Sequence, residues 1–106
     1  MVGVAALSVG FAVASVTAAG PASAAGTLQS KLHKLRICES GDNYRENTGN
    51  GYFGAYQFSP STWHGLGFRG RPDHAKAKVQ DRAATKLHRA DGWSAWPSCA
   101  HTEHLR

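Results

Sequence analysis

Common metal-binding and nucleophile motifs are missing from this sequence of 106 residues. It contains no Cys-x-x-Cys pair, no His-Glu-x-x-His and no Gly-x-Ser-x-Gly, which argues against zinc sites and serine-hydrolase triads. The histidines are scattered, and only the last two lie close together: His33, His64, His74, His88, His101 and His104. We therefore expect no metal ion and no cofactor.

Charge is missing from the start of the chain, since residues 1–30 contain no Asp, Glu, Lys or Arg. An apolar run, Met1–Val16, precedes Ala22-Ser23-Ala24, the small-x-small pattern that signal peptidase cuts. This pattern predicts a signal peptide over residues 1–24 and a mature domain over 25–106, with its core at about 30–100. The pattern departs from the usual one because no basic residue precedes the apolar run. A buried helix is the alternative, and glycine and proline disfavour a membrane anchor.

Cysteine is scarce, with only Cys38 and Cys99. The predicted mature chain of about 80 residues is a size at which a hydrophobic core alone gives marginal stability. In a secreted protein the two cysteines have one intramolecular pairing, and closing a loop of about 60 residues stabilises the fold by about 4 kcal/mol in the chain-entropy model. Two free or metal-binding thiols are the alternative.

Positive charge prevails, with 12 Lys and Arg against 7 Asp and Glu and a formal net charge of +5. The basic residues are spread along the chain, as is typical of proteins attracted to anionic polymers or lipid headgroups in general. We expect no nucleic-acid partner, because no binding module is visible and secretion would separate the protein from nucleic acid.

Hydrophobic spacing and capping residues predict a mainly helical domain. A first helix is expected from about Ser30, a possible N-cap, to Ser40, and Ser59 with Pro60 predicts a second, short helix start. A third helix is expected over about Ala75 to Ala90, from the stripe of Val79, Ala83 and Leu87. Asn-Gly and further glycines among aromatic residues in 47–58 predict a short β-hairpin, and a glycine-rich loop whose aromatic residues pack inward is the alternative. His101–Arg106 resembles a frayed tail.

Glu39 continues the apolar stripe of the first helix. Leu28, Leu32 and Leu35 recur at spacings of four and three, and the next member of the stripe is Glu39. Because Gly41 is a good helix-ending residue, Glu39 is expected in the last turn, where the helix dipole disfavours a negative charge. Burial and dipole both favour a protonated carboxyl group. Together with Gln57 and the aromatic residues, including Trp93 or Trp96, such an acid matches the requirements of glycoside cleavage.

A second carboxylate for glycoside cleavage is not evident in the sequence. Asp42, Glu46 and Asp91 are the nearby candidates, but the first and last stand beside glycines where turns are expected, and Glu46 lies in a polar run. If none of them acts, Glu39 must serve first as acid and then as base, deprotonating a hydroxyl that attacks the anomeric carbon. A hydroxyl of the same sugar would then give an internal anhydro ring.

Four motifs, taken in order, resemble those of the resuscitation-promoting factor family. They are Ile37–Gly41, Asn47–Gly54, Gln57–Ser59 followed by Thr62 and Trp63, and Gly92–Cys99. The resemblance implies a secreted, mainly helical α+β domain of the lysozyme-like, transglycosylase-like kind, with one disulfide between Cys38 and Cys99. It also implies cleavage of the β-1,4 bond between N-acetylmuramic acid and N-acetylglucosamine in peptidoglycan, with Glu39 as the catalytic acid.

The resemblance also implies a set of substrate-contacting or supporting residues: Gln57, Thr62, Tyr52, Trp63, Trp93 and Asp91. Asp91 departs from the family pattern, where glutamine is common. The expected partner is the peptidoglycan glycan strand, bound by a secreted, wall-associated monomer with no membrane insertion, and a protein partner in the wall stays open. Two other function classes stay open as well: a non-catalytic wall-binding or signalling module, and a cationic peptide that damages membranes.

Overall fold

The computed structural model describes residues 26–106, so the predicted signal peptide over 1–24 lies outside the described residues. The first helix, α1, spans Leu28–Ser40, and the short α2 spans Pro60–Gly65. A 3₁₀ turn over Pro72–His74 precedes α3, Ala77–Asp91, which runs directly into a second 3₁₀ turn, Gly92–Ala95. The last helix, α4, spans Pro97–Thr102. The expectation of a mainly helical domain is confirmed.

Local sequence signals explain where two of these helices begin. The Ser59 side chain accepts a hydrogen bond from the backbone N–H of Thr62, and Pro60 occupies the first turn of α2, so the predicted cap is confirmed. Helix α1 begins two residues earlier than predicted. Its capping side chain is Thr27, whose hydroxyl accepts from the N–H of Ser30, so Ser30 itself lies inside the helix.

Residues 32–106 form one compact unit, and of the other unit, residues 1–31, only 26–31 are described. The larger unit has its own apolar core, in which aromatic rings form a chain of contacts from Tyr56 through Phe58 and Trp63 to Phe68. Its buried apolar residues are Leu32, Leu35, Ala55, Tyr56, Phe58, Trp63, Ala83, Ala84, Leu87, Trp96, Cys99, Ala100 and Leu105.

A disulfide joins Cys38, in the last turns of α1, to Cys99 in α4, with 5.9 Å between their Cα atoms. The predicted pairing is confirmed. It connects helix α1 to the chain segment that follows the two tryptophans, 61 positions later.

The predicted β-hairpin over residues 47–58 is not confirmed. β pairing within residues 26–106 consists of two isolated bridges, one between Asn47 and Phe53 and one between Phe53 and Phe58. The chain turns too often for a strand to extend, because four residues of this loop adopt positive φ angles: Gly49, Gly51, Gly54 and Gln57. The segment is therefore a tight loop closed by Phe53 and Phe58, and we call residues 47–58 the glycine loop.

The C-terminal residues are packed, contrary to the prediction of a frayed tail. Helix α4 extends to Thr102, and the Leu105 side chain is only 1% exposed. The N–H of Leu105 also donates to the carbonyl of Ala100 at 3.0 Å. Burial of the Leu105 side chain therefore stabilises the packed position of the residues that follow α4.

None of the helices in residues 26–106 has the length and apolar character needed to cross a lipid bilayer.

Candidate active site

A groove lies between the glycine loop and the segment that carries Trp96. It consists of two adjoining cavities, of about 270 and 170 Å³, which share Tyr52, Gln57, Ala95 and Trp96 as lining residues. The larger cavity, the Glu39 end, is completed by Glu39, Asn50, Pro97 and Ser98. The smaller one, the Asp91 end, is completed by Phe58, Ser59, Thr62, Leu87 and Asp91.

Glu39 is the only acidic residue that lines the Glu39 end. It is half-buried, and no hydrogen bond or salt bridge of the described residues reaches its carboxyl group. Burial raises the pKa of Glu39 above its ordinary value. A carboxyl group that keeps its proton to higher pH and faces a cavity can donate that proton to a bound molecule.

The end of α1 is anchored on both sides of Glu39. The Ser40 hydroxyl donates to the carbonyl of Ala55 at 2.8 Å, which ties the helix end to the glycine loop. Immediately before Glu39, the disulfide at Cys38 ties the same turn to α4. The carboxyl group is thus presented by a backbone held from two directions, which limits the movement of a reacting group.

The glycine loop is held from behind by Gln80, a fully buried residue of α3. Its side-chain oxygen accepts from the N–H of Ala55, and its amide nitrogen donates to the carbonyls of Tyr44 and Ala75. Gly54 lies so close to Gln80 that an added Cβ would be 2.4 Å from the side-chain oxygen. Sequence reasoning did not single out Gln80, because helical spacing alone does not reveal which polar residue is buried.

Gln57 lines both cavities and adopts a left-handed backbone conformation, with φ of 55°. Its side-chain amide donates to the carbonyl of Gly54 at 3.0 Å, which stabilises this turn. Non-glycine residues with positive φ are uncommon and cluster at functional sites. This strained position brings the amide to the middle of the groove.

The other predicted substrate residues fall into two groups. Tyr52, which is 49% exposed, Thr62 and Asp91 all line the groove. Trp63 and Trp93 do not line either cavity. Direct substrate contact by Trp63 is incompatible with its complete burial: it packs against Phe58 and donates to the carbonyl of Arg69, so it supports the groove from below.

Of the two tryptophans that the sequence offers for sugar binding, Trp96 lines the groove and Trp93 does not. The indole nitrogen of Trp96 donates to the carbonyl of Tyr56 at 3.0 Å, which fixes the ring against the base of the glycine loop. Trp93 packs instead against the ring of His88, at 4.4 Å between centroids. The sequence motif contains both tryptophans, and it does not reveal which of the two rings turns into the groove.

Two of the three remaining acidic candidates are engaged outside the groove. Asp42 accepts from the Nε of Arg36 at 2.7 Å, and Glu46 accepts from the side-chain amide of Asn43 at 2.9 Å. Neither lines a cavity, and Asp91 lines only the smaller one. Among the described residues, therefore, no second carboxylate shares a cavity with Glu39.

A polar network that sequence reasoning did not anticipate lies on another face of α1, and we call it the Arg36 network. Arg36 donates to the Tyr56 hydroxyl at 2.8 Å, and the hydroxyls of Tyr56 and Tyr44 both donate to one carboxylate oxygen of Asp81, at 2.6 and 2.7 Å. Asp42 completes the set through Arg36. Burial, together with the hydrogen bond to Asp81, raises the pKa of Tyr44 to about 12 and also raises the pKa of Tyr56, so both donors keep their protons at neutral pH.

Comparison with known proteins relates this geometry to a family. The family model described as transglycosylase-like domain matches residues 26–99. Resuscitation-promoting factor Rpf2 of Corynebacterium glutamicum is 40% identical over 99 residues, which cover 86% of this chain and 26% of that protein. Rpf1 of the same organism is also 40% identical over 99 residues, which cover 91% of this chain and 50% of that protein. RpfC of Mycobacterium tuberculosis is 41% identical over 68 residues, which cover 64% of this chain and 49% of that protein.

The resemblance that the motifs indicated is thus confirmed. The chain spans about a quarter to a half of the length of these curated relatives.

Proposed function

This chain belongs to the transglycosylase-like domain family, and from this membership we propose that it cleaves the glycan strands of peptidoglycan. The bond is the β-1,4 link between N-acetylmuramic acid and N-acetylglucosamine. Similarity to resuscitation-promoting factors extends the proposal to a secreted, wall-associated protein that promotes growth or resuscitation of bacterial cells. The net charge of +5 supports attraction to an anionic wall.

One observation carries the proposal: a half-buried glutamate with no partner among residues 26–106 faces a groove lined by an aromatic ring, an amide and hydroxyls. Burial raises the pKa of Glu39, as a general acid at neutral pH requires. The groove offers an aromatic ring at Tyr52, an amide at Gln57 and hydroxyls at Ser59 and Thr62. Rings pack against sugar faces and the polar groups bind sugar hydroxyls and acetamides.

A single acid suits a two-step mechanism without water. In the first step the Glu39 carboxyl donates its proton to the bridging oxygen, and the bond between that oxygen and the anomeric carbon breaks. In the second step the Glu39 carboxylate takes the proton of a hydroxyl on the same sugar as that oxygen bonds to the anomeric carbon. The proton count balances, and the product is an anhydro sugar. The absence of a second carboxylate from the larger cavity supports this route over hydrolysis.

The test is Glu39→Gln, assayed by release of soluble fragments from purified peptidoglycan. We expect cleavage to fall by about 10²–10⁴-fold, because glutamine keeps the shape but has no proton to donate. Binding to insoluble peptidoglycan should be retained. The matched control is Glu103→Gln, at an acid that lines neither cavity, and it should cleave like the wild type. Full cleavage by Glu39→Gln would overturn the proposal.

Mass spectrometry of the fragments tests the route. Anhydro-muramic ends are expected, and ends that carry an added water would instead indicate hydrolysis with an activated water. Wall binding without cleavage by the wild type would favour a wall-binding module on the same fold. Leakage from wall-free liposomes would favour membrane damage.

A further inference from the structure

The Asp91 end of the groove carries a negative charge, that of the Asp91 carboxylate. Of the nine residues that line this cavity, Asp91 is the only one with a charged side chain, and the others supply an amide, hydroxyls and apolar surface. A molecule in the groove therefore meets one negative charge at this end, in a cavity that Glu39 does not line.

No cation of the described residues neutralises Asp91. Its carboxylate takes part in none of their salt bridges, whereas Asp42, Asp73 and Asp81 are each paired with an arginine. His88 and Arg89 share the last turn of α3, but neither lines the cavity, and the His88 ring packs against Trp93.

The backbone adds to the negative potential. Asp91 is the last residue of α3, so its carboxylate lies at the negative end of the helix dipole. Both the side chain and the helix end therefore favour a cation and disfavour an anion at this point in the groove.

We propose that the Asp91 end binds a glucosamine unit whose amino group is free, and that it disfavours the carboxylate-bearing sugar of the strand. This inference rests on the proposed function, because it assigns a sugar of the glycan strand to the groove. The protonated amine would approach Asp91 while the ring lies against the apolar lining formed by Phe58, Leu87 and Trp96. Asp91 is thus a specificity-determining residue for partly deacetylated peptidoglycan.

The experiment measures binding of peptide-free sugar tetramers to the full chain with Glu39→Gln, so that cleavage does not interfere. Tetramers of glucosamine and of N-acetylglucosamine are compared by calorimetry at mildly acidic pH, where the sugar amines are protonated. Because the ion pair is exposed, we expect about three- to tenfold tighter binding of the glucosamine tetramer at low salt, decreasing at high salt.

Adding Asp91→Asn should abolish this preference, and adding Glu103→Gln should leave it intact. Equal affinity for both tetramers, or a preference that persists with Asp91→Asn, would overturn the inference. Peptide-free probes exclude amines of the stem peptides as the source of any difference. Fragment release from peptidoglycan measures the proposed function, whereas the affinity ratio measures this inference, so each can fail separately.

Discussion

The Arg36 network and the groove hold their acidic groups in opposite ways. In the Arg36 network every charged or hydroxyl group has a partner, and Asp81 alone accepts from two tyrosine hydroxyls. In the groove, Glu39 and Asp91 have no such partners among the described residues, although Glu39 is only three positions from Arg36. Partnered groups hold a structure together, whereas an unpartnered group keeps its capacity to bind or to transfer a proton.

Whether a polar group has a partner distinguishes the Arg36 network, which we call the framework, from the groove, which we call the site. Residue type distinguishes them less well. The network and the groove both contain acids and tyrosines, so composition does not distinguish them. The two regions also meet at one residue, since the Tyr56 hydroxyl belongs to the network and the Tyr56 carbonyl accepts from the groove tryptophan, Trp96. Framework changes should therefore lower stability first, and groove changes should lower activity first.

The largest effect on stability is expected from removing the disulfide. Replacing Cys38 and Cys99 together with alanine should lower the free energy of unfolding by about 2–5 kcal/mol, because the unfolded chain regains the freedom of a long loop. Chemical denaturation measures this loss. Cleavage by the fraction that remains folded should be retained, with at most a modest decrease from the freer helix end, since Cys38 has no chemical role. A stable but inactive double variant would contradict the division between framework and site.

A smaller loss is expected from Asp81→Ala in the Arg36 network. The change leaves two tyrosine hydroxyls and Arg36 without their shared acceptor, which should cost about 1–3 kcal/mol of unfolding free energy. Asp81→Asn keeps a side-chain oxygen and should lose less. Thermal unfolding and fragment release should be measured on the same samples. Loss of activity at unchanged stability would show that Asp81 serves cleavage rather than stability, which would contradict the division between network and groove.

The smallest expected effect is a gain in the thermal stability of Glu39→Gln at neutral pH. Because burial raises the pKa of Glu39, the folded state binds this proton more tightly than the unfolded state, and ionisation destabilises the fold. The penalty develops as the pH rises from the ordinary value of 4.5 through the raised pKa. At neutral pH Glu39→Gln should therefore have a slightly higher Tm than the wild type.

This Tm difference should disappear below about pH 4, where the wild-type carboxyl is protonated in both states. Thermal scans at several pH values check it. A lower Tm for the variant at neutral pH would indicate that the ionised carboxylate has a stabilising partner, contrary to the unpartnered acid described above.

Sequence reasoning identified the features that depend on neighbouring residues. The leucine stripe leading to Glu39, the Ser59 cap with Pro60, and the single possible cysteine pair each follow from local spacing or counting. Leu32 and Leu35 are indeed buried, and the cap and the disulfide are present. These features could be predicted because one helix turn or one covalent bond determines each of them.

Features that depend on contacts between distant segments could not be predicted in the same way. Gln80 contacts residues 25 and 36 positions away, and the Arg36 network joins residues from α1, the glycine loop and α3. Nothing in the local pattern distinguishes Gln80 from the exposed polar residues beside it. The expected hairpin failed for a related reason, since Asn-Gly chemistry favours a turn but does not ensure that the flanking residues pair as strands.

The sequence by itself determined that a glutamate on an apolar helix face stands beside a cysteine with one possible partner. Only the tertiary structure decided that this glutamate faces a groove without a partner, while Asp42, three positions later, is paired with Arg36. The physical reason is that helical spacing sets the direction of a side chain, whereas its desolvation and its hydrogen-bonding partners come from segments that the fold brings together.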